Sequence, residues 1–434
     1  VLVMVLKRRK KQTKIKILGA GREVGRSAIM IEHKDTRLLF DYGVAIGKEE
    51  PSFPLHVSPK SLDAVFLTHA HLDHSGALPF LYISEAKPLY TTVLTLEFSS
   101  ILIRDFLKIS KFYVPFEMIE LENMVRHVKL VNYGESISIK DAEIEVIDAG
   151  HIPGSCMFKI RLDGLNILYT GDYNTTNTCL LKGADLNVLK DVDILITEGT
   201  YANFDHPSRD KIEKIFVEKL KEVLDNGGTV LIPAFAVGRS QEIMCVLAKY
   251  DIGYPIYIDG MARAIAELMY HYREYLGSPE LFEEAFKRVK FISGWQMRKR
   301  AIKRPSIIIS PAGMLKGGAS VFYMEKIFDN PKNAVFFVSY LIEETPARRI
   351  IEEGIFSTRK GVGPVRARIE WFDFSSHISR KGLCDVINAL PQHAKIILVH
   401  SSEDEGENFI SSCIKNTGLK VYFPENGKEL IFEK

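Results

Sequence analysis

The sequence predicts an α/β fold. Short apolar runs rich in Val, Ile and Phe, too short for helices, recur along the chain, and several end in an acid or a histidine. Between about residues 206 and 373, strand-like runs near 229, 256, 307 and 335 alternate with helical segments, the rhythm of a parallel α/β unit. Length allows roughly two to four domains. The 46% hydrophobic and 26% charged residues are ordinary globular usage.

Taken in order, residues 1–13 read as a basic tail, apolar and then basic, the reverse of a secretory signal. A strand is expected over Lys14 to Leu18, followed by GAGREVG. That segment imitates a dinucleotide fingerprint, but Val24 stands where glycine is needed and SAIMIEH alternates like a strand. A glycine-rich hairpin is the better reading. Arg37 to Phe40 is a strand followed by Asp41. Asp63 to Thr68 is another, followed by His69, His71, Asp73 and His74. Residues i and i+2 of an extended chain point the same way, so His69 and His71 can converge. Imidazole and carboxylate donors at this spacing suit zinc or a similar divalent ion. Asp73 or Ser75 is expected to cap a helix over SGALPFLY.

The pattern recurs. Glu143 to Asp148 alternates and leads to Gly150-His151. Phe158 to Leu162 and Leu165 to Thr170 flank the turn Asp163-Gly164, and Asp172 follows. Val192 to Thr197 leads to Glu198, and Lys395 to Val399 to His400. Six strands ending in this way predict one site built on strand ends.

No apolar run approaches the ~20 residues of a membrane span. The five cysteines are scattered and form no CxxC, which fits a reducing, cytoplasmic setting and speaks against thiolate ligands. The net charge is +2, yet basic clusters at Lys7 to Lys11 and Arg298 to Arg304 permit a local positive groove.

HAHLDH, the GHIPGS loop (150–155), TGDY (170–173) and the histidine after the last strand together resemble the metallo-β-lactamase fold. TEGTYA (197–202), FSSHIS (374–379) and LVH (398–400) resemble the added motifs of its β-CASP nucleases. IPAFAVGRSQE, YPIYIDGMA and SPAGMLKGGAS resemble the body of the β-CASP insertion. THAHLDHSGALP is most similar to the nuclease subunit of the cleavage and polyadenylation specificity factor and its short archaeal relatives without KH domains. The resemblance implies a four-layer αββα sandwich over 14–205, resuming at 374–434, with a parallel α/β β-CASP domain inserted over 206–373. It implies two zinc ions. His69, His71 and His151 would hold the first, Asp73, His74 and His400 the second, and Asp172 would bridge them. Asp41 would orient a ligand, and Glu198 would charge His377 as the proton donor.

RNA contacts are expected from Arg239 and Ser240, where a helix opens with free amides, and from Lys316, Gly317 and Gly318. The implied activity is a ribonuclease on single-stranded RNA, endonucleolytic in processing or 3′-end formation, with a 5′–3′ exonuclease as the alternative. Partner subunits, or a second copy, stay open. Some members of the group are non-catalytic RNA-binding subunits, but these lose ligands, and here every ligand position is filled. The sequence departs from the family pattern at Ser379, at Ser401-Ser402-Glu403 and in EETPARR (343–349).

Overall fold

The computed structural model describes residues 12–46, 50–110, 114–341, 344–358 and 361–433. The Lys7 to Lys11 cluster therefore lies outside the described residues, as do residues 342–343, the second of which opens the EETPARR departure. Among the described residues the strands form three large sheets and one hairpin.

The first sheet runs, in spatial order, Glu429–Glu433, Gln12–Gly19, Ala28–His33, Thr36–Phe40, Ala64–Phe66, Leu89–Thr91 and Val128–Leu130. Its opening strand starts at Gln12, two residues before the expected Lys14. It pairs antiparallel with Ala28–His33, so GAGREVG is the connection of two strands and not a nucleotide loop. The second sheet runs Lys420–Tyr422, Lys395–Val399, Ile194–Glu198, Leu165–Tyr169, Cys156–Leu162, Ala142–Asp148 and Ser136–Ile139.

Period-two alternation decides the layers. Ile15, Ile17, Leu38 and Phe40 of the first sheet meet Phe158, Ile160, Ile194 and Ile397 of the second in one buried core. The residues between them face outwards. Leu39 and Val65 pack under the helices Val93–Ile109 and Met118–Arg126. Leu195 and Leu398 pack under Arg380–Asn388. The result is helix, sheet, sheet, helix.

The third sheet is parallel throughout, in the order Val289–Phe291, Ile256–Ile258, Ser306–Ser310, Thr229–Pro233, Ala334–Phe337, Arg368–Trp371. The four expected strands are present, and Val289–Phe291 and Arg368–Trp371 are added at the two edges. SIIIS at 306–310 is buried at every position, as a strand covered on both faces requires. Ile307, Ile309 and Phe336 face one set of helices, while Ile308, Val335 and Phe337 face the other.

Two local expectations are corrected. The helix after the histidine cluster spans Leu72–Ser75, with His71 at its N-cap and no side-chain cap. Asp73 and Ser75 thus lie inside it, and LPFLY forms a separate 3-10 turn. Cysteines scattered along the chain are not all scattered in space. Cys384 and Cys413 are joined, with Cα atoms 6.2 Å apart, whereas Cys156, Cys179 and Cys245 are free and buried.

Candidate metal centre and active site

The strand ends of the two facing sheets bring the expected donors together. His69, His71, His151 and Asp172 offer ligand atoms all within 4.8 Å of one another, and so do Asp73, His74, Asp172 and His400. Asp172, Glu198 and His377 form a third group of the same tightness. Asp172 belongs to all three.

Three of the imidazoles are aimed by an outer partner. Asp41 accepts from His74 Nδ1 at 2.8 Å, which turns Nε2 toward Asp172 Oδ1 at 3.3 Å. The same carboxylate accepts from the Thr68 amide and hydroxyl and from the Tyr169 hydroxyl. His151 Nδ1 donates to the Ser376 carbonyl at 3.0 Å, leaving Nε2 to the cluster. His400 Nδ1 lies 3.0 Å from Thr200 Oγ1, and its Nε2 lies 3.2 Å from Asp73 Oδ2. Such outer partners fix tautomer and ring orientation at metal sites. Asp41 and His400 also adopt left-handed backbone angles, φ 57° and 50°. That conformation costs a non-glycine residue free energy and clusters at functional sites. Gly171 (φ 53°) lets Asp172 pass Thr68, because a Cβ there would lie 2.8 Å from the threonine side chain.

Electrostatics divides the donors. Burial pushes the pKa of His69 and His151 well below that of ordinary histidine, and neighbouring imidazoles add to the effect. Burial takes His71 down to about 4. Neutral imidazoles are the form that can hold a metal ion. His74 and His400 feel the same burial, but Asp172 and the carboxylates of Asp41 and Asp73 outweigh it and raise both. Burial opposes ionisation of Asp172 too, yet His74, His400 and His377 hold its pKa well below the carboxylate range.

The residues fit a cation. His69 Nε2, His71 Nε2 and Asp172 Oδ1 are buried with no hydrogen-bond partner among the described residues. Buried polar atoms are normally paired. His69 Nε2 stands in the first donor set, beside Asp172 Oδ2 at 3.5 Å, while Asp172 Oδ1 faces His74 and His400 of the second, so the unpaired atoms mark places for positive ions in both sets. A separate buried group, Cys179, Glu213 and Glu242, differs. Glu213 is spent on Lys249 and the Cys179 thiol, and Glu242 on the amides of Cys179 and Leu180.

Glu198 ends its strand, is buried, and accepts the Tyr173 amide. Its two oxygens lie 3.1 and 3.0 Å from His377 Nδ1. Burial lowers the pKa of His377, but Glu198 and Asp172 raise it further, to about 9.

The expected RNA contacts are placed differently. The amides of Gly238, Arg239 and Ser240 are already taken, by Gln241 Oε1 and the carbonyls of Val237 and Phe235. Ser240 is buried and also donates its hydroxyl to Phe235 O, so it fastens the loop. Arg239 is buried behind the site, with one nitrogen 3.4 Å from Ser376 Oγ, and burial lowers its pKa to about 10. The helix start is thus not an open phosphate site. Lys316 is exposed and, with Gly317 and Gly318, lies on the loop after Ser306–Ser310, one strand over from the Phe235 loop. Ser379, where the family pattern has aspartate, caps the next helix by accepting the Gly382 amide.

Sequence reasoning missed Thr68, Tyr169, Thr200 and Phe235. Thr68 and Thr200 sit inside quoted motifs, so adjacency to a ligand was the available signal. Phe235 is 37% exposed, with its ring 6.3 Å from that of His71.

The Metallo-beta-lactamase superfamily profile matches residues 21–218, the Beta-Casp domain profile 240–350, and the profile of a Zn-dependent metallo-hydrolase RNA specificity domain 362–424. The RNase aCSPSF2 of Saccharolobus solfataricus is 41% identical over 96% of this chain and 85% of its own length. The chain belongs to the β-CASP ribonucleases of the metallo-β-lactamase superfamily. A probable RNase of Methanocaldococcus jannaschii is 37% identical over 95% of this chain and 98% of its own. The transcription termination factor FttA of the same organism is 34% identical over 95% and 70%. These β-CASP relatives are archaeal, as the resemblance to the short archaeal form implied. A crystal structure of an Enterococcus faecalis protein of unknown function shares the fold, with a TM-score of 0.63 at 16% identity over 97% of this chain and 100% of that one.

Proposed function

We propose that this chain cuts single-stranded RNA internally, during RNA processing or 3′-end formation, with two zinc ions per chain. The observation that carries the reading is Asp172, shared between two complete donor sets and the His377–Glu198 pair. His69, His71 and His151 would hold one ion, Asp73, His74 and His400 the other, and Asp172 both. Nitrogen and oxygen donors without thiolate suit zinc. When bound, a pair of divalent cations supplies Lewis acidity at the phosphate and a water nucleophile at neutral pH.

The chain's own groups do the rest. Asp41 and Thr200 hold the ligand rings of His74 and His400 in place. Glu198 occupies Nδ1 of His377, so Nε2 is the atom that can pass a proton to the leaving 3′ oxygen. A pKa near 9 keeps this imidazole protonated at neutral pH, as a proton donor requires. In this reading the sandwich comprises 14–205 and 374–434, the insertion comprises 206–373, and the enzyme works in the cytoplasm.

The test is a product map of 5′-labelled single-stranded RNA with the zinc-loaded protein. Labelled 5′-terminal fragments of intermediate length are expected. Labelled mononucleotide as the sole product would replace internal cutting with 5′ exonuclease action. Bound but uncut RNA would make the chain a binding subunit.

A further inference from the structure

The insertion presents its parallel sheet end-on to the metal centre. Phe235 follows the strand Thr229–Pro233 and lies over His71. Tyr340 follows Ala334–Phe337 and packs at 5.9 Å on Tyr201, whose ring is 5.8 Å from that of His377. Open parallel sheets bind ligands outside the carboxyl ends of their strands.

That edge carries an unusual set of side chains. Five large aromatics are exposed among the described residues: Phe204, Phe235, Trp295, Tyr340 and Trp371. Four of them stand at the carboxyl ends of this sheet's strands, and they include both tryptophans of the chain. Sheet order fixes their sequence in space as Trp295, Phe235, Tyr340, Trp371. Trp295, 53% exposed, follows the edge strand Val289–Phe291. Three strand spacings separate that strand from the one before Phe235, roughly 15 Å. Tyr340 and Trp371 lie one and two spacings away on the other side.

The Trp295 end is held and charged. Arg298 makes two bonds to Asp259, 2.7 and 3.0 Å, and Tyr323 donates to the same carboxylate, which ties the segment Trp295–Ala301 to the end of the strand Ile256–Ile258. Trp295 packs on Phe322 at 4.6 Å, and the Lys299 ammonium lies 5.7 Å from the indole centre. Between Ala285 and Met324 the chain has nine lysines and arginines and no acid, although the whole chain carries only +2. Lys299, Arg300, Lys303 and Arg304 make no ion pair among the described residues.

Exposed aromatic rings combined with cations bind single strands, whose bases stack and whose phosphates need charge. Stacking costs nothing in base specificity, because every base has a π-face. We propose that the carboxyl edge of the inserted sheet is a single-strand RNA track crossing the metal centre, with bases stacking on Trp295 on one side of the cut and on Tyr340 and Trp371 on the other. This rests on the ribonuclease reading and deepens it, since grip on both sides of the scissile bond suits an internal cut.

The test uses both tryptophans. RNA of about twelve nucleotides should quench the intrinsic tryptophan fluorescence of the zinc-loaded protein within seconds of mixing, and RNA of about three nucleotides should not. Trp295→Ala should weaken the longer RNA about five- to tenfold in KM, with kcat, zinc content and the shorter RNA unchanged. Trp295→Phe should recover most of the loss, and Lys299→Ala should lower the salt slope by about one. No quenching, or equal losses on both lengths, overturns the track. An unchanged KM in Trp295→Ala also overturns it, and would leave the face to a protein partner. Quenching without any cleavage would sink the ribonuclease reading and leave the track standing.

Discussion

The two walls of the cleft solve different problems. On the sandwich wall most of the functional side chains are buried, and three of the rings are held by an outer group: Asp41 on His74, Ser376 O on His151, Thr200 on His400. On the insertion wall the candidate contacts are half exposed and stand on loops after strands: Phe235, Tyr340, Trp295. Bond making needs donors placed to a fraction of an ångström. Holding a flexible strand needs only flat faces and charge. Substitutions of the donors on the first wall should therefore affect metal and rate, and those of the exposed rings on the second affinity and dependence on RNA length.

The largest effect is expected from Asp172→Ala. It removes a donor common to both sets, so cleavage should vanish and zinc content should fall together, read by elemental analysis of the purified variant. Retained zinc with retained cleavage would break the shared-donor account. His377→Ala comes next. It should keep the metals yet lose about 10²- to 10⁴-fold in kcat. A nitrophenyl phosphodiester, whose leaving group needs no proton, should lose far less.

The pH profile sharpens this prediction. The raised pKa of His377 means that the proton donor is present below about 9 and lost as pH rises through it. The wild-type rate should fall on that alkaline side. In Glu198→Gln, where the ring loses its principal carboxylate partner, the fall should move down towards the ordinary histidine value of about 6.5. A profile that does not move would assign Glu198 to structure alone.

Asp41→Asn keeps the size of the side chain but weakens its grip on His74. Zinc affinity should drop about 10- to 100-fold, the usual cost of losing an outer partner, as read by competition with a chromogenic chelator. The smallest effect belongs to the second wall. Ser240→Ala should leave the KM for RNA unchanged and cost about 0.5–1.5 kcal/mol in thermal unfolding, the worth of its bond to Phe235 O.

The same contrast explains what the sequence disclosed. Candidate metal donors are legible because few side chains can serve and because here they sit at strand ends, so His69, His71, Asp73 and His74 stand out after one apolar run. The layers were legible only through the family resemblance, and the structure shows the alternation behind them, with Leu38 and Phe40 on one face and Leu39 on the other. Ser240 misled because a serine at a helix start reads as a polar contact, whereas the fold spends both its donors on one carbonyl. Tyr169 was invisible because its hydroxyl reaches Asp41 across 128 residues. The row from Trp295 to Trp371 was invisible because only the strand order of the parallel sheet makes those residues neighbours.

The central claim is that the two donor sets hold two zinc ions and that cleavage needs both. The direct measurement titrates zinc into chelator-stripped protein, following bound metal and cleavage of single-stranded RNA on one sample. Two ions should bind per chain, with cleavage appearing as the second site fills. Full-rate cleavage by the stripped protein, or by protein saturated at one ion, would contradict the account.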